Sequence, residues 1–133
     1  MTVFAVRGRM EFALMKIHEI KEILGAELLC GDESMDSDVY SACCSDMMSD
    51  VLAYVKDQGV LITGLVNPQV IRTASMMDMI CVVFVRSKTP SDEIIKLAND
   101  CGIVVMRSTL RAFEACGLLY TAGLSRLPGD RNA

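Results

Sequence analysis

Between Cys44 and Arg86 the chain reads CSDMMSDVLAYVKDQGVLITGLVNPQVIRTASMMDMICVVFVR, and the spacing of its apolar positions changes repeatedly. GVLITG, from Gly59 to Gly64, is a short apolar run. NPQVIRTASMMD then places Val70, Ile71, Ala74 and Met77 at helical spacing before ICVVFV returns to strand character. A strand, helix, strand unit follows. Two parallel strands require such a crossover, and open parallel sheets bind ligands beyond the carboxyl ends of their strands, so the polar residues at those seams are the first candidates for chemistry.

The same reading extends in both directions. MKIHEIKEILG is an amphipathic helix with Ile17, Ile20, Ile23 and Leu24 on one face, stopped by Gly25. AELLC is a short strand, GDESMDSD an acidic loop and DVYSACC the next strand. Ser45 is then expected to cap a helix with Met48 at its third position and Asp46 in its first turn, where a carboxylate meets the helix dipole favourably. Met47, Val51, Leu52 and Val55 form the apolar face of that helix. Asn67 and Pro68 signal the next helix start by a cap followed by proline at the first helical position. A strand over Ile80–Val85 leads through Arg86-Ser87-Lys88 to Thr89-Pro90-Ser91-Asp92, read as a cap, a proline and a carboxylate opening a helix that ends at Gly102. IVVM makes the last strand, Ser108 or Thr109 caps the last helix, and that helix is expected to break near Gly117 or Gly123. These elements predict a single α/β domain: a mostly parallel central sheet of about five strands flanked by helices on both faces. The domain is placed at residues 15–124, with 1–14 as an N-terminal extension or the product of an alternative start, and 125–133 as a mobile tail.

Composition narrows the function classes. A chain of 133 residues can bury a core without metal or disulfides, so stability requires no cofactor. Hydrophobic residues reach 52% and mean hydropathy is +0.37, an apolar excess that points to a homodimer or higher oligomer. Charged residues interrupt every apolar run, which opposes a membrane span, and MTVFAVRGRMEFALM does not read as a signal peptide; a cytoplasmic protein is expected. Net charge is −4 with scattered Lys and Arg, and aromatics are 5%, which argues against nucleic-acid binding. Six cysteines show no CxxC spacing and His18 is the lone histidine, so no metal site is expected. Cys81, Cys101 and Cys116 read as small buried hydrophobes, and adjacent Cys43 and Cys44 would face opposite sides of a strand. Methionines 47, 48, 76, 77 and 79 suit an adaptable core or subunit interface.

The candidate ligand-binding residues are Ser45, Asp46, Thr63, Gly64, Asn67, Arg72, Arg86, Lys88, Ser108 and Thr109. Ser45, Asp46, Ser49 and Asp50 could bind a cation, or they could simply cap a helix, since no third carboxylate is evident. The remaining hydroxyls and bases fall at strand ends, where they suit a nucleotide or a phosphorylated metabolite, or serve as ordinary caps and solvated charges. Arg111 and Glu114 read as a surface pair on the last helix. No nucleophile, base and orienting group emerge together.

In order, CSDMMSDVLAYV, LITGLVNPQVIRTASMMDM, VVFVRSKTPSDEIIKLA and FEACGLLYTAGL resemble the DRTGG domain, most closely its small stand-alone version encoded near iron-only hydrogenases. The likeness covers residues 15–124. The chain departs from the family letters at Leu65-Val66-Asn67 and at Arg86-Ser87-Lys88, where many relatives carry a threonine and paired glycines. The DRTGG domain is similar in turn to the N-terminal domain of HPr kinase/phosphorylase, a non-catalytic module involved in assembly. The resemblance therefore implies a regulatory or interaction domain, with a hydrogenase-system protein as partner. No Gly-Lys pair occurs in the chain, so the phosphate-binding Gly-Lys-Ser/Thr loop of a kinase is absent, and no enzyme is expected.

Overall fold

The structure is a computed structural model and describes residues 15–54 and 58–124. Four strands lie parallel because each of the first three is followed by a helix that carries the chain back to the start of the next. In chain order the elements are β1 (Met15–Lys16), α1 (Ile17–Leu24), β2 (Glu27–Cys30), a 3-10 turn (Asp32–Ser34), β3 (Asp38–Val39), β4 (Ser41–Cys44), α2 (Met48–Tyr54), β5 (Gly59–Thr63), α3 (Pro68–Met76), β6 (Cys81–Phe84), α4 (Asp92–Cys101), β7 (Val104–Arg107) and α5 (Ala112–Thr121). The main sheet has the order β2-β7-β6-β5-β4. Strands β4 to β7 are mutually parallel, and β2 pairs antiparallel with β7. This is the expected single α/β domain with a mostly parallel five-stranded sheet.

Alternation along the strands sends side chains to two cores. Val60, Ile62, Val83 and Met106 meet Ile17, Ile20 and Leu24 of α1 and Ala115 and Leu119 of α5. Leu61, Val82, Phe84 and Val105 meet Val51 of α2, Val70, Ile71 and Ala74 of α3, and Ile94 and Ala98 of α4. All five residues of β5 are buried, as are all four of β6, which explains why these strands read as continuous apolar runs. Because α2, α3 and α4 share one face, the crossovers never switch sides between β4 and β7. The crevice that such a switch creates in doubly wound sheets is therefore missing from this run of strands.

Several local expectations are corrected. DVYSACC is two strands: β3 pairs with β1 in a separate ribbon, and β4 forms the edge of the main sheet. Helix α2 begins only at Met48, so Asp46 precedes its first turn; Val51 is buried, but Met47 and Leu52 are exposed, and Val55 lies outside the described residues. Ser91, rather than Thr89, caps α4, its Oγ accepting from the Ile94 amide at 3.3 Å. Helix α5 starts after Arg111 rather than after Ser108 or Thr109, and it runs through Gly117 to end at Thr121, beside Gly123, the other expected break. Glu114 there accepts a hydrogen bond from the Arg111 amide at 3.0 Å, closing half a capping box where a surface ion pair was expected. Asn67 does cap α3, its Oδ1 accepting from the Gln69 amide at 2.8 Å. Cys101 is exposed and Cys116 half-buried, while Cys81 is buried as expected. The N-terminal extension and the C-terminal tail lie outside the described residues. Among those residues no helix is long and apolar enough to cross a membrane.

Candidate functional site

The carboxyl ends of β4, β5 and β6 bring Asp46, Thr63, Gly64, Arg86 and Lys88 into one cluster. Asp46 folds back from the β4–α2 connection, and its Oδ1 accepts from the Gly64 amide at 2.8 Å and from the Thr63 hydroxyl at 2.9 Å. Thr63 is buried, and its Oγ1 accepts in turn from the Leu65 amide at 3.1 Å. The Gly64 amide, above all, holds the Asp46 carboxyl below the usual range; the Thr63 hydroxyl adds to this, and the charges of Arg86 and Lys88 contribute less. The carboxylate is thus a tie between two strand ends rather than the helix cap suggested by its position in sequence. Ser45 makes its own short turn, with Oγ accepting from the Met47 amide at 2.9 Å.

Arg86 and Ser87 both adopt left-handed backbone, with φ of 58° and 59°. Glycine takes that conformation without penalty, whereas side chains take it at a cost, so the turn after β6 has a glycine-type backbone with no glycine in it. The turn does not expose its amides as an anion cradle. The Arg86 amide donates to the Leu110 carbonyl at 2.8 Å and the Ser87 amide to the Ser108 carbonyl at 2.9 Å. The Arg86 guanidinium instead lies over Gly64, where a side-chain carbon would come within 2.7 Å of its Nη2. Arg86 and Lys88 are both exposed.

The other candidates stand apart. Ser108 is buried; its Oγ donates to the Leu24 carbonyl at 2.9 Å and accepts from the Leu110 amide at 3.1 Å, fastening β7 to the end of α1. Thr109 is exposed beside it. Arg72 lies on the outer face of α3, with its Nη1 3.5 Å from Gln69 Oε1. Thr73, next to it, is fully buried, and its hydroxyl has no hydrogen-bond partner among the described residues. Among the described residues no group of three His, Cys, Asp or Glu could hold a metal ion.

Sequence reasoning missed the opposite kind of site, on the flank where α5 passes the edge strand β4. A cavity of about 170 Å³ is lined there by Ala42, Cys43, Cys44, Ile62, Cys116, Leu119, Tyr120 and Leu124. Beside it, Phe113 is 89% exposed, Tyr120 65% and Leu118 44%. The signal was legible in retrospect. AFEACGLLYT carries one charge in ten residues, and a helix apolar on nearly every side needs a partner on more than one side. Strand β4 pairs only with β5 among the described residues, so its outer edge is open along the same flank.

The DRTGG domain model matches residues 19–122, which agrees with the resemblance over 15–124. Among solved structures the chain is similar to the CBS and DRTGG domains of the regulatory region of Clostridium perfringens pyrophosphatase, complexed with the activator diadenosine tetraphosphate. Identity is 17% and the TM-score 0.64, over 85% of this chain and 51% of that one. This chain therefore spans about half the length of that structure, and at such identity the likeness concerns the fold. No curated protein matches the chain.

Proposed function

This chain belongs to the DRTGG domain family, and we propose that it acts as a non-catalytic regulatory domain working through association with a second copy of itself. The observation that carries this reading is the apolar face of α5, with Phe113, Leu118 and Tyr120 exposed beside β4, which is the sheet's edge among the described residues. Leaving large aromatic and aliphatic groups in water costs roughly 1.5–3 kcal/mol for each side chain that could be buried. A two-fold pairing would bury both copies of the face at once. The polar cluster supports the same reading from the other side, because Asp46, Thr63 and Ser108 are occupied in joining elements of the fold. Sedimentation velocity at tens of micromolar is expected to show a dimer or larger species. A strictly monomeric protein would overturn the proposal.

A second reading, a sensor of nucleotides or phosphorylated metabolites, is favoured by the exposed cations Arg86 and Lys88 at the strand ends. The solved relative contains an activator nucleotide, in a region that includes CBS as well as DRTGG domains. Thermal-shift measurements against a nucleotide panel test this reading. A ligand at one hundred times its dissociation constant should stabilise by about 2.7 kcal/mol, and no shift across the panel leaves self-association standing. The regulated partner is proposed to be a protein of an iron-only hydrogenase system, as the family resemblance implies. Affinity capture from an anaerobic host that recovers no hydrogenase component would count against that partner.

A further inference from the structure

Of the six cysteines, Cys43, Cys44 and Cys116 border that cavity, and no part of the reading above uses their chemistry. Cys44 ends the edge strand β4, and its side chain falls on the same face as that of its register partner Ile62, toward α5. Cys116, on α5, lines the same cavity. The others are placed differently. Cys81 is fully buried, Cys30 donates its S–H to the Ile103 carbonyl at 3.6 Å, and Cys101 is exposed at the end of α4. Cys43 borders the cavity too, but its register partner is Leu61 and it packs in the opposite core. Cys44 is exposed and Cys116 half-buried, so a small reagent can reach the pair.

We propose that Cys44 and Cys116 are a thiol–disulfide exchange site that takes a low-molecular-weight disulfide and closes to an intramolecular bridge between β4 and α5. In the first step one cysteine thiolate attacks a sulfur of the reagent; its S–S bond breaks, a mixed disulfide forms and one thiolate leaves. In the second step the other cysteine, already in the same cavity, attacks the protein-side sulfur and expels the second thiolate. The two cysteines are oxidised by two electrons and the reagent is reduced to two thiols, which carry off the two protons. Burial first, then the neighbouring Cys116 sulfur, pushes the Cys44 thiol up to about 12. Thiolate is therefore scarce at neutral pH, and the closing step depends on proximity.

The test uses the full chain, dilute, with oxidised glutathione, followed by alkylation and peptide mapping. The expected product is a chain about 2 Da lighter than the reduced form, with two fewer cysteines alkylated and the bridge located between Cys44 and Cys116. It should form roughly tenfold faster for each pH unit between 7 and 9 and reopen with a reducing thiol. A Cys43→Ser chain should still close, whereas Cys116→Ser should accumulate a stable glutathione adduct on Cys44. A glutathione adduct on Cys44 that persists while Cys116 is intact would overturn the proposal, as would a bridge to Cys43 or between two chains.

Discussion

The carboxyl ends of the parallel strands and the β4–α5 flank solve opposite problems. At the strand ends polar groups are abundant and close on one another: Asp46 on Thr63 and Gly64, Ser108 on Leu24 and Leu110. On the flank the groups are apolar, and among the described residues Phe113 and Tyr120 stay largely uncovered. A polar side chain is satisfied by one or two hydrogen bonds within the fold, so its presence at a seam says little about ligands. An apolar side chain is satisfied only by area, and area left open on an ordered helix points outside the chain.

That contrast can be tested at four strengths. Replacing Phe113 and Tyr120 together by glutamate should raise the dissociation constant of a self-associating species by about a hundredfold or more, since each site counts twice across a two-fold interface. Chemical denaturation of the monomer should change by less than about 0.5 kcal/mol; loss of monomer stability would show that the face belongs to the core. Ser108→Ala should cost about 2 kcal/mol in the same measurement, because the Leu24 carbonyl loses its donor and the Leu110 amide its acceptor in a buried setting. Nucleotide-dependent loss without destabilisation would instead mark Ser108 as a ligand contact. Asp46→Ala should cost about 1 kcal/mol at neutral pH, a modest figure because the residue is exposed. Its carboxyl is held below the ordinary value in the folded state, so its contribution is present above the unfolded value near 3.9 and fades as pH falls through the folded one. The difference between native and variant chains should therefore shrink in acid, and a difference that grows there would refute the tie. Ser87→Gly should stabilise by roughly 0.5 kcal/mol by relieving a left-handed serine. Destabilisation would mean that the side chain contributes something beyond the backbone turn.

Much of the fold was legible because its signals are local. Asn67-Pro68 starts α3, Gly25 and Gly102 stop α1 and α4 in left-handed conformation, and the apolar run Gly59–Thr63 is a buried strand. Errors came where a residue had two local uses and tertiary contacts chose between them. Ser108 stood where a cap was plausible, yet Leu24, 84 residues away in sequence, claims its hydroxyl. Asp46 matched a first-turn carboxylate, but the end of β5 comes close enough to take it. Thr89 accepts from Arg107 Nη1 at 2.7 Å, leaving the capping of α4 to Ser91.

By itself the sequence determined the alternation of strands and helices, the mostly parallel α/β class and the family, since periodicity, caps and the order of motifs are properties of neighbours along the chain. Only the tertiary structure decided which polar groups were already occupied, that among the described residues β4 is an edge and α5 keeps an exposed apolar face beside it, and that Cys44 and Cys116 share one cavity. Those facts depend on which surfaces meet across long separations in sequence, and hydrophobic burial, which is non-directional, leaves no local mark of where one apolar surface finds another.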